Sequence, residues 1–499
     1  MQSIYLCRGE VYARTIMTQN NVVLLLRPPI TKMLFPMVNP PIGLGYLTSY
    51  LEQHGFKVYL IDFNIRNISM HTFESFIQKI NPLLIGITAL TQYYPGLVKL
   101  SNAIKTNNPG IPIVLGGIHV SALPEQSLFD SGADFIVMGE GELTLLELAR
   151  ALQQKKKSFL DIKGLAFNDA KGDVILTPSR ELIENLDDLP FPAWKKMNPS
   201  WYPPEPHGMI MKYSKVAPIL STRGCPFNCS YCASCNFWNQ RIRFRSAKNI
   251  VDEIQFLHEN FGIKEIHFWD DNLTLKKSHI IGICKEIVKR GLNNMAFNAP
   301  NGIRADKVDA HILKIMKMAG FYSITFAVES ADYQILKKNG KNVDPALLMH
   351  NAKIAHELGY HLSSFYIIGF PEETERTIRK TIEFARRFPP GNKKFFILTP
   401  LPGSRIFDKF IAEHDFQYID WNKFSFLDGE YTVSERFTPD QLRYWLQQAF
   451  HVTVLPITTF ITTLYIRFIK YGHFSQIRAI IARAKTLLLS GTKGFSGIE

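Results

Sequence analysis

Three cysteines, Cys225, Cys229 and Cys232, form a C-x3-C-x2-C triplet in the run Thr222–Cys232. Thiolates at this spacing, in a loop that turns back on itself, can hold three irons of a cubane 4Fe–4S cluster. The fourth iron then has no protein ligand, and an open iron is a reaction site where a fully ligated one would only relay electrons. The triplet therefore predicts an iron–sulfur centre with one open coordination position.

The other cysteines leave two alternatives for this centre. The chain has six Cys in 499 residues: the triplet, Cys235, Cys7 and Cys284. Zinc sites usually combine a C-x2-C pair with a second, distant pair of ligands, and the sequence has no second C-x2-C pair or close His partner. Cys235 extends the run to C-x3-C-x2-C-x2-C, so it is either a ligand of the fourth iron or, as we favour, a bystander beyond the turn.

Length, composition and charge place the chain among ordinary globular proteins. It has 499 residues, 46% hydrophobic and 20% charged, which is enough for two or three domains. An oxygen-sensitive cluster requires a reducing compartment, and the first 20 residues lack the apolar core of a signal peptide, so we expect a cytoplasmic protein. The net charge of +13 fits a basic surface or contact with an anionic membrane. We expect no nucleic-acid partner, because no groove-reading motif is present.

The front of the chain, from Asn21 to about Arg150, alternates apolar strands with amphipathic helices. The predicted strands are Val22–Leu26, Lys57–Asp62, Leu83–Thr88, Pro112–Gly117 and Ala133–Met138. Five strands joined by crossover helices predict an α/β fold with a doubly wound five-stranded parallel sheet. Ligands of such sheets bind outside the carboxyl ends of the strands.

Glycine-rich segments follow several of these strands. They are Pro40–Gly45, Thr88–Thr91, Gly116–His119 and Gly139–Glu142. Glycines at strand ends allow the backbone to approach a large ligand closely. Each segment alone is a weak signal, because turn glycines are common.

The middle of the chain repeats the strand–helix pattern after a connector with a hairpin signal at Asp169–Asp173. Its predicted strands are Ala217–Thr222, Lys264–Trp269, Met295–Asn298, Ser323–Val328, Ser364–Thr374 and Phe395–Gly403. Six βα units predict a partial (β/α)6 TIM-type barrel. Ser246 is the predicted N-cap of the first barrel helix. Asp270 and Asp271, at the end of the second strand, suit an ammonium ligand or cap the next helix.

These motifs together resemble the cobalamin-dependent radical S-adenosylmethionine (SAM) enzymes, the class B radical SAM methyltransferase family. The resemblance covers about residues 21–410 and rests on the cysteine triplet, the G-G-x-H and G-E-G-E segments, and a G-F-P-x-E-T turn at Gly369–Thr374. It implies three cofactors: a 4Fe–4S cluster, SAM and cobalamin. The open iron would chelate the amino and carboxylate groups of SAM, and reductive cleavage would give a 5′-deoxyadenosyl radical.

The resemblance also implies which residues contact SAM. The acids Asp270 and Asp271 would hold the amino group, Arg304 a carboxylate of SAM or substrate, and Glu329 the ribose. Aromatic and backbone contacts would border the adenine. The implied set is Tyr231, Asp270, Asp271, Arg304, Glu329, Ile367 and Gly369.

The implied cobalamin contacts lie at the strand ends of the front sheet. They are Gly43, Leu44, Thr88, Ala89, Leu90, Gly116, Gly117, His119, Gly139, Glu140, Gly141, Glu142 and Thr144. The D-x-H-x-x-G segment that supplies a cobalt ligand in many cobalamin domains is missing, since no His occurs between Asn21 and Gln53. The resemblance implies a cobalt whose lower face packs on the third strand end. His119 then contacts the nucleotide tail or, alternatively, caps its own loop.

The predicted organisation has five segments: an N-terminal tail (1–20), a cobalamin-binding domain (21–150), a connector (151–195), a radical SAM domain (196–410) and a helical C-terminal region (411–499). Ser475–Leu489 alternates apolar and basic residues. This pattern is typical either of a helical cap on the barrel or of peripheral contact with an anionic membrane, and it is compatible with a lipophilic substrate.

The predicted function is transfer of a methyl group from SAM, through methylcobalamin, to an unactivated carbon of a small molecule. An electron donor such as flavodoxin or ferredoxin would be needed. The sequence singles out no catalytic acid or base. One alternative is cyclisation or oxidative rearrangement with the same cofactors. Another is an RNA-modification protein, although the methylthiotransferases that share the triplet need upstream cluster cysteines and residues 8–224 contain none. A cobalamin carrier or sensor has no use for the triplet.

Overall fold

Apolar runs in the front part form one sheet in a computed structural model that describes residues 20–30, 38–203, 211–414 and 419–453. Within these ranges its strands are β1 (Val22–Arg27), β2 (Lys57–Asp62), β3 (Leu84–Thr88), β4 (Ile113–Gly116), β5 (Phe135–Val137), β6 (Leu165–Asn168) and β7 (Val174–Leu176). Their spatial order is β2-β1-β3-β4-β5-β6-β7. Strands β1 to β5 are parallel, which confirms the predicted five-stranded parallel sheet. The connector hairpin, β6 and β7, extends it with two antiparallel strands.

Helices cover both faces of this sheet, as a doubly wound fold requires. They are α1 (Ile42–Gln53), α2 (Met70–Ile80), α3 (Tyr94–Asn107), α4 (Ile118–Ala122), α5 (Pro124–Ser131) and α6 (Gly141–Gln153). Alternate residues of β1 pack into different cores: Leu24 faces the side of α2 and α3, and Leu25 faces the side of α1 and α6. Burial on both faces explains why the sequence of β1 is continuously apolar.

The second part of the described chain contains six parallel strands and a short hairpin. The strands are β8 (Val216–Ile219), β9 (Thr222–Gly224), β10 (Ile242–Phe244), β11 (Glu265–Phe268), β12 (Ala296–Ile303), β13 (Phe321–Glu329), β14 (His361–Ile368) and β15 (Gly391–Ile397). The parallel strands follow the order β15-β14-β13-β12-β11-β8, while β9 pairs with β10. Six parallel strands with helices between them confirm the partial barrel. The predicted first strand, Ala217–Thr222, is interrupted, however. Its first part lies in β8, and its last residue, Thr222, belongs to β9 of the hairpin.

The helices of this part lie on the outside of the barrel or beside its rim. They are α7 (Ser234–Phe237), α8 (Ala247–Phe261), α9 (Lys277–Lys289), α10 (Ala310–Met318), α11 (Tyr333–Lys338), α12 (Pro345–Glu357), α13 (Glu375–Arg387), α14 (Arg405–Glu413) and α15 (Pro439–Thr453). Ser246 caps α8 as predicted, because its side chain accepts a hydrogen bond from the Asn249 N–H at 3.1 Å.

The connector joins the two parts through a shared core. Trp194 is buried beside barrel residues, and its Nε1 donates to Glu253 of α8 at 2.9 Å. Met197 lies so close to Gly45 of α1 that a side chain at Gly45 would collide with it. The front sheet and the barrel are therefore packed against each other and are not tethered by a free linker.

The C-terminal region closes the outer side of the barrel. Leu442, Leu446 and Ala449 of α15 are buried in the barrel core, so α15 covers β14 and β15 as an outer helix. The segment before it covers the free edge of β15, where the Ile397 N–H donates to the Phe426 carbonyl at 2.7 Å. The helix α15 thus packs on the outside of the barrel, while the cap and membrane alternatives stated for Ser475–Leu489 concern residues beyond the described ones.

Several sequence predictions fall outside the described residues. The N-terminal tail up to residue 19 and the basic segment Ser475–Leu489 are among them. The described helices include none that is long and apolar enough to cross a bilayer. The bounds given to the five segments stay predictions.

Candidate functional site

The cysteine loop leaves the β9–β10 hairpin and ends at α7. Cys225, Cys229 and Cys232 are all partly exposed on it. Gly224, with φ +94°, starts the loop, and any side chain there would collide with the Arg241 carbonyl. Glycine is thus required at the point where the chain leaves the hairpin. The hairpin, which sequence analysis did not predict, fixes both ends of the loop.

Neighbouring loops hold the backbone of the cysteine loop from behind. The Ser230 N–H donates to the Asn339 carbonyl at 3.0 Å. The Arg405 guanidinium donates to the Asn228 carbonyl at 2.7 Å. Gly340 passes so close to the same carbonyl that a side chain would not fit. The loop is therefore held by the segment after α11 and by the start of α14.

The end of β11 wraps around the cysteine loop. Asp270 is buried, and its Oδ1 accepts hydrogen bonds from the backbone N–H groups of Ser221 and Thr222, with the Ser221 N–H at 2.9 Å. Burial raises the pKa of Asp270 to about 6. Asp271 accepts from Ser234 at 3.1 Å, just beyond the last cysteine of the triplet. Both acids thus lie next to the loop, and Asp270 binds the backbone just before it through Oδ1.

One neighbour of the cysteines was missed by sequence analysis. Asn272 is 1% exposed, and its Nδ2 lies 3.9 Å from the Cys225 Sγ, which it can reach as a donor. In the sequence, its position directly after two acids at a strand end could have indicated that Asn272 belongs to the site. An amide donor at this distance stabilises charge on a thiolate.

The structure places Tyr231 and Glu329 beside each other. The Tyr231 ring meets Phe370 edge-on at 5.7 Å between centroids. Burial and then the Glu329 carboxylate raise the pKa of Tyr231 well above its ordinary value. Glu329 has φ +63°, a conformation that is strained for a residue with a side chain, and its carboxylate accepts from Lys341 Nζ at 2.9 Å. Strain of this kind is typical of functional sites.

Arg304 and the predicted adenine segment complete this rim. The Arg304 guanidinium stacks 3.6 Å from the ring centroid of Phe227, which lies between Cys225 and Cys229. Its Nε also donates to Asp306 at 3.0 Å. At the end of β14, Ile367 precedes Gly369, whose N–H donates to the buried Glu373 carboxylate at 2.7 Å. All seven predicted SAM residues therefore lie around one end of the barrel.

The thiols fit metal ligation better than free nucleophilic chemistry. Burial raises the pKa of Cys232 to about 12 and also raises that of Cys225. A nearby cation would therefore be needed to produce thiolates at neutral pH, and the iron of a bound cluster would supply it. In the described ranges, no three His, Cys, Asp or Glu side chains converge on a single ion position. A cubane needs no such convergence, because each thiolate binds a different iron.

Cys235 points into the protein. It is 1% exposed, and its Sγ donates to the Cys232 carbonyl at 2.8 Å. A thiol engaged with the backbone of its own loop is turned away from the partly exposed triplet. This geometry favours the bystander alternative.

The strand ends of the front sheet leave room for a large ligand. Gly117 does not contribute to that room, because with φ +108° a Cβ there would lie 2.6 Å from the Ala89 carbonyl oxygen. Leu90 is 51% exposed although it directly follows β3. A Cβ added at Gly43 would meet no atom within 4 Å. An exposed leucine and one open glycine position fit a bulky, partly apolar group. Leu44 differs, because its side chain packs in the core.

His119 is enclosed by aromatic rings. It is 0% exposed, stacks on Tyr94 at 3.9 Å and meets Trp421 edge-on at 4.7 Å. Its Nδ1 lies 3.2 Å from Thr91 Oγ1, and within the described chain its Nε2 has no partner. Burial lowers the pKa of His119 to about 3, so the ring is neutral at pH 7. The contact with Thr91 supports the loop-capping alternative, while the free Nε2 keeps the nucleotide-tail prediction open.

The G-E-G-E segment joins the two parts of the chain. Glu140 accepts from Arg223 at 2.7 Å and from Arg243 at 2.6 Å, and Glu142 accepts from Arg223 at 2.7 Å. These four side chains, which we call the charge clamp, are each at most 9% exposed. Burial raises the pKa of Glu140, but the two arginines outweigh it and hold that pKa below its ordinary value.

The clamp changes what the segment can do as a cofactor site. The carboxylates of Glu140 and Glu142 bind arginines of the β9–β10 hairpin. A ligand would therefore contact the backbone of this segment, at Gly139 and Gly141. Thr144 is also occupied, since it donates to the Lys163 carbonyl at 3.1 Å. The side chains of Glu140, Glu142 and Thr144 therefore have structural partners, and the contact of these residues with cobalamin stays a prediction.

The strand ends of the sheet and the cysteine loop meet at one place. A Cβ added at Gly403 would lie 3.3 Å from Ala122 of α4 and 3.8 Å from Ala233, next to Cys232. Asn236 of α7 donates to the Gly403 carbonyl at 2.7 Å. The loop after β15 is thus packed between the two predicted ligand sites, which are direct neighbours.

Comparisons with known proteins agree with this arrangement. The family model described as B12 binding domain matches residues 34–149, and the Radical SAM superfamily model matches residues 219–385. An uncharacterized methyltransferase of Pyrococcus horikoshii is 33% identical over 86% of this chain and 91% of its own length.

Further relatives have named activities. The cytidylyl-2-hydroxyethylphosphonate methyltransferase of Streptomyces wedmorensis is 27% identical over 78% of this chain and 82% of its own. An anaerobic magnesium-protoporphyrin IX monomethyl ester cyclase of Rubrivivax gelatinosus is 28% identical over 78% and 69%. Among solved structures, the radical S-adenosylmethionine methyltransferase TsrM from Kitasatospora setae aligns with a TM-score of 0.66 at 22% identity, over 79% of this chain and 77% of that one. This structural similarity supports the fold.

Burial of neutral His119 predicts a loss of stability in mild acid. The unfolded chain takes up a proton near pH 6.5, whereas the folded ring stays neutral down to about pH 3. The contribution of His119 to the free energy of unfolding is therefore largest above pH 6.5 and falls as the pH is lowered. The fall is about 2 kcal/mol between pH 7 and pH 5. Urea unfolding at both values should show this fall reduced in His119→Gln. The exposed His71→Gln is the control, and an equal fall in all three proteins would contradict the assignment.

The charge clamp predicts a large effect of a small substitution. Glu142→Gln leaves Arg223 with one carboxylate and an uncompensated buried charge, so we expect the free energy of unfolding to fall by about 2–3 kcal/mol. The control is Glu181→Gln, which breaks an exposed pair with Lys163 and should leave unfolding unchanged. Urea unfolding of the three proteins measures the difference. An equal, small effect of both substitutions would show that the clamp does not stabilise the junction.

Proposed function

The chain belongs to the cobalamin-dependent radical SAM methyltransferases, and from this membership we propose that it methylates an unactivated carbon of a small-molecule substrate. The observation that carries the proposal is the packing of Gly403 between Ala122 and Ala233. It brings the strand ends of a cobalamin-binding sheet against the loop of an iron–sulfur cluster. Methyl carrier and radical source would thus lie next to each other, as transfer to a carbon radical requires.

The chain's own residues would hold three cofactors at this space. When bound, the cluster supplies the electron that cleaves SAM, and cobalamin carries the methyl group. Cys225, Cys229 and Cys232 would ligate the cluster, with Asn272 donating toward Cys225. Cys235 keeps its thiol on the loop backbone and leaves the fourth iron to SAM.

The SAM contacts are proposed at the residues that the sequence predicts. Asp270 holds the strand end through Oδ1 only, and its buried Oδ2 has no partner in the described chain, so both acids are proposed for the amino group. Arg304 is proposed for the carboxylate and Glu329 for the ribose. Lys341 keeps the Glu329 carboxylate in place. Tyr231 and the Ile367–Gly369 backbone would border the adenine. The cobalamin contacts are proposed at Gly43, Thr88–Leu90, Gly116–Gly117 and the backbone of Gly139–Gly141.

A second candidate uses the same cofactors for ring closure or oxidative rearrangement. The similarity to the Rubrivivax gelatinosus cyclase favours it, at an identity close to that of the Streptomyces wedmorensis methyltransferase. The two functions differ in the fate of the SAM methyl group, so one labelling experiment separates them.

Further parts of the proposal concern partners and location. A small electron-transfer protein such as flavodoxin or ferredoxin would reduce the cluster, and the oxygen sensitivity of the cluster favours the cytoplasm. Peripheral membrane contact would involve the basic residues after position 453. The net charge of +13 supports an acidic partner for either contact.

Substitution of single cysteines tests the cofactor assignment. Purified protein reconstituted without oxygen should contain both a 4Fe–4S cluster and cobalamin. Cys229→Ala should lose the cluster and SAM cleavage but retain cobalamin, because the front sheet is unchanged. Cys235→Ala is the matched control and should retain both cofactors. Iron and cobalt analysis with absorption spectroscopy measures the contents, and loss of the cluster in Cys235→Ala would make that residue a ligand.

Methyl transfer is tested with SAM labelled in its methyl group. The reduced, reconstituted protein is incubated with a metabolite extract of the source organism, and label should enter a product other than methylcobalamin and methionine, which keeps the methyl group when SAM is cleaved reductively. The same reaction with Cys229→Ala should give no labelled product. A substrate-derived product, other than 5′-deoxyadenosine and S-adenosylhomocysteine, that forms only with the intact protein yet carries no label would contradict methyl transfer and select ring closure or rearrangement.

A further inference from the structure

Three phenylalanine rings line one side of the barrel interior. Phe365 of β14, Phe396 of β15 and Phe426 of the segment that covers β15 form a row, which we call the aromatic wall. The ring centroids of Phe365 and Phe396 are 5.9 Å apart, those of Phe396 and Phe426 are 6.2 Å apart, and both pairs meet edge-on. The strand neighbours of Phe396, which are Phe395 and Ile397, pack in the core with the outer helices. Since side chains alternate along a strand, Phe396 faces the concave side.

The aromatic wall is accessible, although it faces the interior of the barrel. Phe426 is 41% exposed, and both Phe365 and Phe396 are partly exposed. Ala327 of β13, the register partner of Phe365, is partly exposed as well. Accessible surface on inward-facing residues of three neighbouring strands means that a space open to solvent lies in front of them.

Polar residues close this space at its lower end. Thr325 of β13 and Ser363 of β14 lie two residues before the partly exposed positions of their strands, and they are 0% and 5% exposed. Asn298 of β12 is also 0% exposed. On β15 the Lys394 Nζ lies 5.5 Å from the ring centroid of Phe365, a cation–π contact that engages this ring from below. The space therefore opens toward the carboxyl ends of the strands.

The open end of the space leads to both predicted cofactor sites. Ile367, which is proposed to border the adenine of SAM, lies two residues after Phe365 and is the register partner of Phe396. Six residues after Ile397, the end of β15, Gly403 packs between α4 of the front sheet and the end of the cysteine loop. A molecule on the aromatic wall would lie beside the radical source and the methyl carrier, where a methyl acceptor must bind.

We propose that the aromatic wall binds an apolar part of the methyl acceptor, such as an aromatic ring or a branched hydrocarbon. Ligand pockets are lined mainly by apolar and aromatic side chains, and grouped apolar side chains that stay accessible mark binding sites. A strongly polar group would lose its water at the wall without gaining hydrogen-bond partners from the rings. The inference rests on the proposed function, because it takes the occupant to be the methyl acceptor.

Ligand-detected NMR titration of the reconstituted, unreduced holoenzyme tests this inference. SAM is present in excess, so its own site is filled, and without a reductant it is not cleaved. The probes are benzyl alcohol, cyclohexylmethanol and myo-inositol, which are uncharged, contain one six-membered carbon ring each and differ in polarity. The two apolar alcohols should bind and displace each other, and myo-inositol should not bind.

Two substitutions change the space in opposite ways. Phe426→Ala removes about 50 Å² of apolar contact and should raise the Kd of both apolar alcohols about fivefold to tenfold. Ala327→Leu should fill the space and raise both Kd values at least as much. It should also keep the wild-type Tm, because the added methyl groups enter free volume and do not overpack the core.

The matched control is Phe129→Ala. Phe129 lies on α5 of the front sheet and is 85% exposed, so this substitution removes the same group from a surface outside the barrel. It should leave the Kd of both apolar alcohols unchanged. The contrast separates binding at the aromatic wall from unspecific adsorption to exposed rings.

Several outcomes would overturn the inference. They are no binding of the apolar alcohols to the wild type, equal binding of myo-inositol, and an unchanged Kd in either wall variant. A Tm of Ala327→Leu lowered by several degrees would show that no free space exists and would also overturn it. Cluster and cobalamin contents and label transfer from SAM, measured on the same preparations, report the proposed function separately. Binding of the apolar alcohols without label transfer would contradict methyl transfer but not the apolar site.

Discussion

The charge clamp is the interaction on which the arrangement of this protein depends. Two carboxylates from the first turn of α6 enclose the guanidinium of Arg223, and Glu140 also reaches Arg243. Arg223 lies two residues before the first cysteine of the triplet. The clamp therefore joins the front sheet to the hairpin that carries the cysteine loop. Its two carboxylates and two guanidinium groups are buried, and their charges balance. Burying charges is costly, and such groups are useful chiefly where they fix one geometry among several.

Fixing that geometry matters because the chemistry is divided between two domains. The loop after β15 contacts α4 on one side and the end of the cysteine loop on the other. A small rotation of the front sheet on the barrel would separate these contacts. Hydrophobic packing around Trp194 holds the two parts together, but it is not directional. Ion pairs with defined hydrogen-bond directions supply the orientation that apolar packing lacks.

The sequence was most informative where the signal is local. The strand Lys57–Asp62 was predicted with its observed bounds, and the cysteine triplet lies in one loop because its spacing requires that. Prediction was weaker for contacts between distant residues. The first barrel strand is interrupted where Asp270, 49 residues later, takes the N–H of Ser221. Glu140 and Glu142 were interpreted as cofactor contacts, since no local pattern shows an arginine more than 80 residues away. The polar residues of the barrel interior could not be predicted, because single polar residues inside apolar strands have no distinctive spacing.

The covering of β15 has a consequence for how the chain is made. Synthesis runs from the N-terminus, so all six barrel strands exist before the Phe426 segment and α15 are available to cover the last of them. During that interval β15 presents an unpaired backbone edge, and Gly369 lacks its contact with Leu442. An open strand edge pairs readily with other chains. Ribosome pausing or premature termination in this stretch would thus release a nearly complete barrel with an aggregation-prone side, so the Phe426 segment and α15 would protect the protein during biogenesis as well as after it.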